Sequence, residues 1–385
     1  MRDSLIISAL GSFHKVDLED IRHFFGADFP RHVRKSEFVQ RLGAFLVQSP
    51  EKWLRNMLER DLRLLETLVE AGPEVPVTLD YPDYPTVLET VGLLGTDVSN
   101  EDYKEIWIPK EVYDIVSPHV ASVIAEREED GSFEMERASF GYLNLYGVMT
   151  VDEFYDKMLS YSEWAGRWDV ESFTRRLAAS PVFKLCRIDI EGEPCVAAPG
   201  IYEPAKIVAG RKEYPDMGGF REFTPEQAIE AGTGSPEFVF GLGTEEGKNL
   251  VEMLLNLGYT GKELILEEHD IWMNSQMIWG DDATEEIFGC VSDRQDDIET
   301  FEDYNACMEI VAAYANSLPK WLLKGYSSNE ANCLKVILQS EDEPTMDHIR
   351  KNPYMSLYIP PVLADEPCPC GSGLSYRLCH GRNLN

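Results

Sequence analysis

Apolar positions recur every three to four residues along most of the chain, and these repeats predict helices. Over residues 13–70, Val16, Leu18, Ile21, Phe24 and Phe25 form one stripe behind the cap Asp17. Phe38, Val39, Leu42, Phe45 and Leu46 form a second, separated from the first by the basic run Arg31-His32-Val33-Arg34-Lys35. A third runs through Trp53, Leu54, Met57, Leu58, Leu62, Leu65, Leu68 and Val69 and stops at Gly72-Pro73.

The pattern then changes. Residues 73–85 are rich in proline and read as extended chain, followed by a helix over 85–95. Turn residues Asp97, Ser99 and Asn100 lead into a strand at Glu105-Ile106-Trp107-Ile108 and a helix begun by Pro109. A similar order follows. Two helices flank Gly147, with Thr150 as a cap and Glu153 three residues on, and another helix spans 170–179. Strands over 183–190 and 194–198 flank the hairpin signal Glu191-Gly192-Glu193. Helices closed by a short β-element suggest winged-helix-like units, with the acidic stretch 126–136 as a linker between them.

Residues 200–245 read as loops with one short helix begun by Thr224-Pro225-Glu226. Beyond them helical patterns cover 244–257, 261–278, 282–292, 300–316 and 328–340, punctuated by Pro319, Gly325 and Pro344. Long helices with short connections describe a bundle. The expected fold is mainly α with small β-hairpins, an α+β chain. Its expected parts are a helical, winged-helix-like domain over 1–125, a helix-plus-hairpin domain over 137–220 and a helical domain over 221–342. A proline-rich tether over 343–366 and a small zinc-binding knob over 367–385 complete it.

Composition narrows the class. A chain of 385 residues exceeds one ordinary core, and 44% apolar with 27% charged residues describes a globular protein. No apolar run reaches the length that crosses a bilayer. The start, with an apolar stretch of only six residues and no small-residue cleavage site, does not read as a signal peptide. The cytoplasm is therefore the expected location. Net charge is −33, but Met1 to Arg63 holds eleven Lys/Arg against nine Asp/Glu, and Pro367 to Asn385 holds two arginines and no acid. The middle then carries −37, a field that repels nucleic acid and favours basic partners. Contact with phosphate would use one of the two ends.

The sharpest chemistry lies at the end. Cys368, Cys370, Cys379 and His380 supply three thiolates and an imidazole, a full tetrahedral set for one zinc ion. Four protein ligands leave no position for a reacting water, so the metal is structural. Pro369 and Gly371 permit the tight turn that puts two sulfurs on one ion, and a module this short folds around metal, which contributes on the order of 10–16 kcal/mol in comparable peptides.

This segment resembles the SEC-C motif, the zinc module closing the preprotein-translocase motor SecA and many bacterial proteins. Pro367, Pro369, Gly371, Ser372, Gly373, Tyr376, Gly381 and Arg382 carry the likeness together with the four ligands. It covers about one residue in twenty. SecA-type modules place two lysines after the Gly-Ser-Gly, where this chain has Leu374 and Ser375. The resemblance implies docking to a protein partner such as a chaperone or the ribosome, and Tyr376, Arg377 and Arg382 are the residues a compact knob would present. The stretch Ser317 to Gly325 also resembles a connector in other SEC-C-tailed proteins.

Signals for catalysis fail. Gly241, Gly243 and Gly247 have neither dinucleotide-binding nor P-loop spacing, because Asn249 follows Lys248. Glu267, Glu268, His269 and Asp270 read as a solvated acidic face. Cys186 and Cys195 read as buried thiols, and Trp164, Trp168, Trp272, Trp279 and Trp321 as core. The expected function is thus a non-enzymatic zinc-binding adaptor. A nucleic-acid-binding protein using Arg31, Arg34 and Lys35 is the alternative, and an enzyme with a site assembled across domains is the third.

Overall fold

A computed structural model describes residues 4–80, 86–100, 103–214, 217, 219–277, 286–331 and 375. Among the described residues the chain is mainly helical with two three-stranded sheets. It divides into two compact units, one of Met1–Ser139 with Met158–Arg187, the other of Phe140–Lys157 with Ile188–Asn385.

In the first unit, α1 (Leu5–Ser12), α2 (Lys15–Phe25), α3 (Lys35–Gln48), α4 (Pro50–Leu54) and α5 (Glu59–Ala71) form where the apolar stripes predict helices, with α1 as an addition. Ser4 caps α1 by accepting from the Ile7 amide, and Gly26 ends α2 in the left-handed conformation. Phe25, Phe38, Leu42, Trp53, Leu62 and Leu65 lie at the centre of the core. Trp53 meets Phe25 edge-on at 5.5 Å and donates its indole N–H to the Leu46 carbonyl at 2.9 Å. That bond removes the cost of burying a polar atom.

Strand β1 (Val77–Asp80) pairs with β3 (Tyr103–Trp107), Val77 opposite Ile106, and β2 (Gly95–Asp97) pairs on the other edge of β3. Between β1 and β2 the expected helix over 85–95 shortens to α6 (Val87–Thr90), fixed by reciprocal bonds between Thr86 and Glu89. Helices α7 (Lys110–Val116) and α8 (Val120–Glu129) follow.

The stretch 126–136, expected as a linker, is the end of α8, a turn at Gly131 and the start of α9 (Ser132–Tyr146). Buried Arg127 lies 2.8 Å from the Glu136 carboxylate, which also accepts from the Glu59 amide at 2.6 Å. Burial pushes the Glu136 carboxyl up, against the pull of Arg127. Arg127 and Glu136 are buried here as an internal pair, while Glu126, Glu128 and Glu129 stay exposed.

The second unit takes the end of α9, β4 (Val148–Thr150) and the first half of α10 (Val151–Ala165). Thr150 and Glu153 form the expected reciprocal cap, with the Glu153 amide 3.2 Å from the Thr150 hydroxyl. The remainder of α10, α11 (Val170–Ala179) and α12 (Pro181–Cys186) belong to the first unit. Ser180 and Pro181 begin α12 as cap and first residue, so the predicted strand over 183–190 shortens to β5 (Arg187–Ile190). A two-residue turn with Glu191 and Gly192 both at positive φ leads to β6 (Glu193–Ala197), which pairs with β4 through Val148 opposite Ala197.

Residues 200–245 hold more helix than expected: α13 (Pro204–Gly210), α14 (Pro225–Ala231) and α15 (Pro236–Val239), each with proline in its first turn. Then α16 (Glu245–Asn256), α17 (Gly261–Met277), α18 (Gly289–Ser292) and α19 (Phe301–Ser317) enclose the second core with Leu250, Leu254, Val291, Val311, Tyr314 and Trp321. Among the described residues no helix is long and apolar enough to cross a membrane.

Candidate functional site

The basic run between α2 and α3 is positioned by groups behind it. Buried Arg22 donates to the carbonyls of Ala27 at 3.0 Å and Phe29 at 3.4 Å, and Phe29 packs edge-on to Phe38 of α3 at 4.8 Å. These bonds hold the chain as it leaves α2. Arg31, His32, Arg34 and Lys35 then lie exposed on the surface. Lys35 donates to the Gly11 carbonyl at 2.9 Å, whereas Arg31 and Arg34 make no ion pair among the described residues. The structure therefore brings Arg31, Arg34 and Lys35 to one exposed turn, with two of the three cations uncommitted.

The connector Ser317 to Gly325 sits at the heart of the second unit. Pro319 and Trp321 are gripped by Gln276 near the end of α17: its side chain donates to the Pro319 carbonyl at 2.8 Å and accepts from the Trp321 amide at 3.0 Å. The Trp321 ring meets Trp272 edge-on at 5.5 Å, and its N–H reaches the Asn144 carbonyl at 2.7 Å. Lys320 is buried with its ammonium on the Ser275 carbonyl at 3.0 Å, and burial brings that ammonium down to about 7.

Arg211 stitches the same region from the other side, donating to the carbonyls of Trp321, Val148 and Tyr146 at 2.6–3.0 Å. Desolvation brings its guanidinium down to about 10. Every cation here is committed to a main-chain carbonyl, so the arrangement braces the fold. Neither Lys320 nor Arg211 stands out in the sequence, where a lysine or arginine reads as surface.

The acidic run on α17 departs from the expected solvated face. Glu268 is only 9% exposed, one turn before buried Trp272, while Asp270 is exposed and lies 3.3 Å from His269. Trp272 and Trp321 are core as expected, Trp168 is half-buried and Trp164 is 46% exposed. Trp279 lies outside the described residues. Cys186 ends α12 and Cys195 lies in β6, both buried and reduced. Burial pushes the Cys186 thiol up to about 12, which suppresses thiolate chemistry.

Among the described residues no group of three or more His, Cys, Asp or Glu is arranged to hold a metal. Cys368, Cys370, Cys379, His380, Tyr376, Arg377 and Arg382 lie outside the described residues. Their assignment rests on the donor set and on comparison with known families. The SEC-C motif family matches residues 366–382, a span that contains all seven. The chain carries a SEC-C motif. Its three cysteines and one histidine fit zinc, a borderline-soft ion that takes four sulfur and nitrogen donors. No curated protein and no solved structure shows significant similarity to the chain. The SEC-C motif is thus where the comparisons bear on function.

Proposed function

We propose that the protein is a non-enzymatic, cytoplasmic adaptor whose SEC-C motif folds around one structural zinc ion and docks a protein or ribosomal partner. The observation that carries this reading is the family match over 366–382 together with its complete donor set, Cys368, Cys370, Cys379 and His380. Zinc would hold the segment as a small knob and supply no reaction, since four protein ligands fill its shell. Tyr376, Arg377 and Arg382 would then be the contact residues. The two arginines give the segment a charge opposite to that of the middle of the chain, which suits an acidic partner surface.

In-cell crosslinking tests the proposal. A partner captured by the wild-type chain should be lost, by about tenfold, from Cys368→Ser and from Arg377→Ala/Arg382→Ala. Equal capture by all three chains contradicts it.

A second reading, nucleic-acid binding, is favoured by one observation: the uncommitted Arg31 and Arg34 beside Lys35 on an exposed turn. The helices with their short sheets would serve as winged-helix-like units presenting that turn. Three phosphate contacts predict that log K falls with log salt at a slope of about −2.7 on duplex DNA. Replacing Arg31, Arg34 and Lys35 with alanine should flatten that slope. A mobility shift that the triple variant leaves unchanged removes this reading.

A further inference from the structure

Two tryptophans meet the surface where α10 gives way to α11. Gly166, at φ +62°, follows α10 and donates its amide to the Ser162 carbonyl at 3.0 Å. Asp169 caps α11 by accepting from the Ser172 amide at 3.0 Å. The short connection is thus held at both ends. It presents Trp164, 46% exposed, half-buried Trp168, and Val170, 62% exposed. Buried Tyr161 anchors the rings, lying 6.2 Å from Trp164 and 6.4 Å from Trp168, and Phe173 meets Trp168 at 5.8 Å.

Arg167 lies beside the same rings. A Cβ on Gly131 would fall 3.0 Å from its side chain and 3.2 Å from the Trp168 ring, so both pack over that glycine. Arg167 is exposed and makes no hydrogen bond or ion pair among the described residues. Acids nearby are engaged elsewhere: Asp130 by Arg176 at 2.7 Å, Asp169 by Ser172, Glu134 by the Tyr161 hydroxyl at 3.0 Å. Tryptophan beside arginine is the composition of interface anchors. A proline-containing segment suits such a surface, because its extended backbone is already ordered and its rings pack on aromatic faces. The uncommitted guanidinium calls for a carboxylate next to the prolines.

Tyr358-Ile359-Pro360-Pro361-Val362-Leu363-Ala364-Asp365-Glu366 supplies both, adjacent prolines followed by two acids. This segment lies outside the described residues, and the chain from Ala331 to Tyr358 can extend over about 90 Å, which gives it ample reach. We propose that the Trp164 and Trp168 surface docks this chain's own segment Tyr358–Glu366, with the prolines on the indole rings and an acid on Arg167. Docking holds the start of the SEC-C motif, at residue 366, against the body. None of the four proposed zinc ligands takes part, so docking is independent of the zinc reading.

Fluorescence anisotropy with a fluorescein-labelled peptide of residues 357–366 tests the docking. The receptor is the full, zinc-loaded chain carrying Pro360→Ala/Pro361→Ala, which disables its own segment. Saturable binding is expected, weakened at least tenfold by Trp164→Ala or Val170→Asp and three- to tenfold by Arg167→Ala. Phe301→Ala, which removes a 79%-exposed ring from α19, should leave affinity unchanged. The wild-type chain should bind the peptide at least tenfold more weakly, because its own segment competes. Equal affinity with and without Trp164, or for a peptide lacking both prolines, overturns the site. Equal affinity of the wild-type chain and its proline variant overturns the assignment to the chain's own segment.

Discussion

Asp61 carries the least compensated charge of the first unit. It is 1% exposed, neither carboxylate oxygen makes a well-formed hydrogen bond, and Arg60 approaches only to 3.4 Å. Burial, opposed by Arg60, raises its carboxyl from 3.8 to about 6. A folded value above the unfolded one means that the native state binds the proton more tightly. Its stabilising effect is complete below pH 3.8 and disappears as pH rises through about 6. Asp61→Asn, neutral throughout, should therefore be more stable than the parent at pH 7.5 by up to about 3 kcal/mol. The gap should narrow as pH falls toward 4.5, and urea unfolding at the two pH values measures it. A gap that does not change with pH contradicts the account. The same residue marks a limit of sequence reading. Asp61, Lys104, Arg127, Glu136 and Lys320 are all buried, yet a charged letter reads as surface until its partners across the fold are known.

Helices with side-chain caps were the most legible elements. Thr244 begins α16 and Thr300 begins α19, each accepting from an amide three residues on, and the sequence places both helices within a residue or so. The short helices α12, α13 and α15 were not, because so few residues show no periodicity and their identity comes from a Pro in the first turn and from tertiary packing, whereas α14, equally short, is announced by its Thr224 cap. The connector Ser317 to Gly325 stands out in the sequence only by its likeness to other SEC-C-tailed proteins, and the fold supplies its role in the core of the second unit. Trp321→Ala should accordingly cost about 3–5 kcal/mol in chemical denaturation. Gly147, at φ +74°, needs its missing side chain, since a Cβ there would fall 2.5 Å from the Trp321 ring. Gly147→Ala should destabilise by about 1–3 kcal/mol, from backbone strain before any clash is counted. Wild-type stability in either variant would show that this contact does not organise the unit.

Across the whole molecule the sequence announces a mainly helical chain with small sheets, and the structure has that architecture. What it could not announce is the division into units that each use two separate stretches of chain, because long-range pairing leaves no local trace. The candidate sites divide similarly. Cys368, Cys370, Cys379 and His380, the proposed ligands, stand out in the sequence because a metal site demands fixed residue types at fixed spacing. The grip of Gln276 on Pro319 and Trp321 does not, because these residues lie 43 and 45 positions from it and meet only in the fold. Charge at this scale makes the middle of the chain acidic, with cations concentrated at the two ends. The central claim, that the SEC-C motif is a zinc-built module, is tested most directly by native mass spectrometry of the purified chain. The account predicts one zinc ion per chain, lost from the double variant Cys368→Ser/Cys379→Ser. A metal-free wild-type chain, or full zinc occupancy in the double variant, would contradict it.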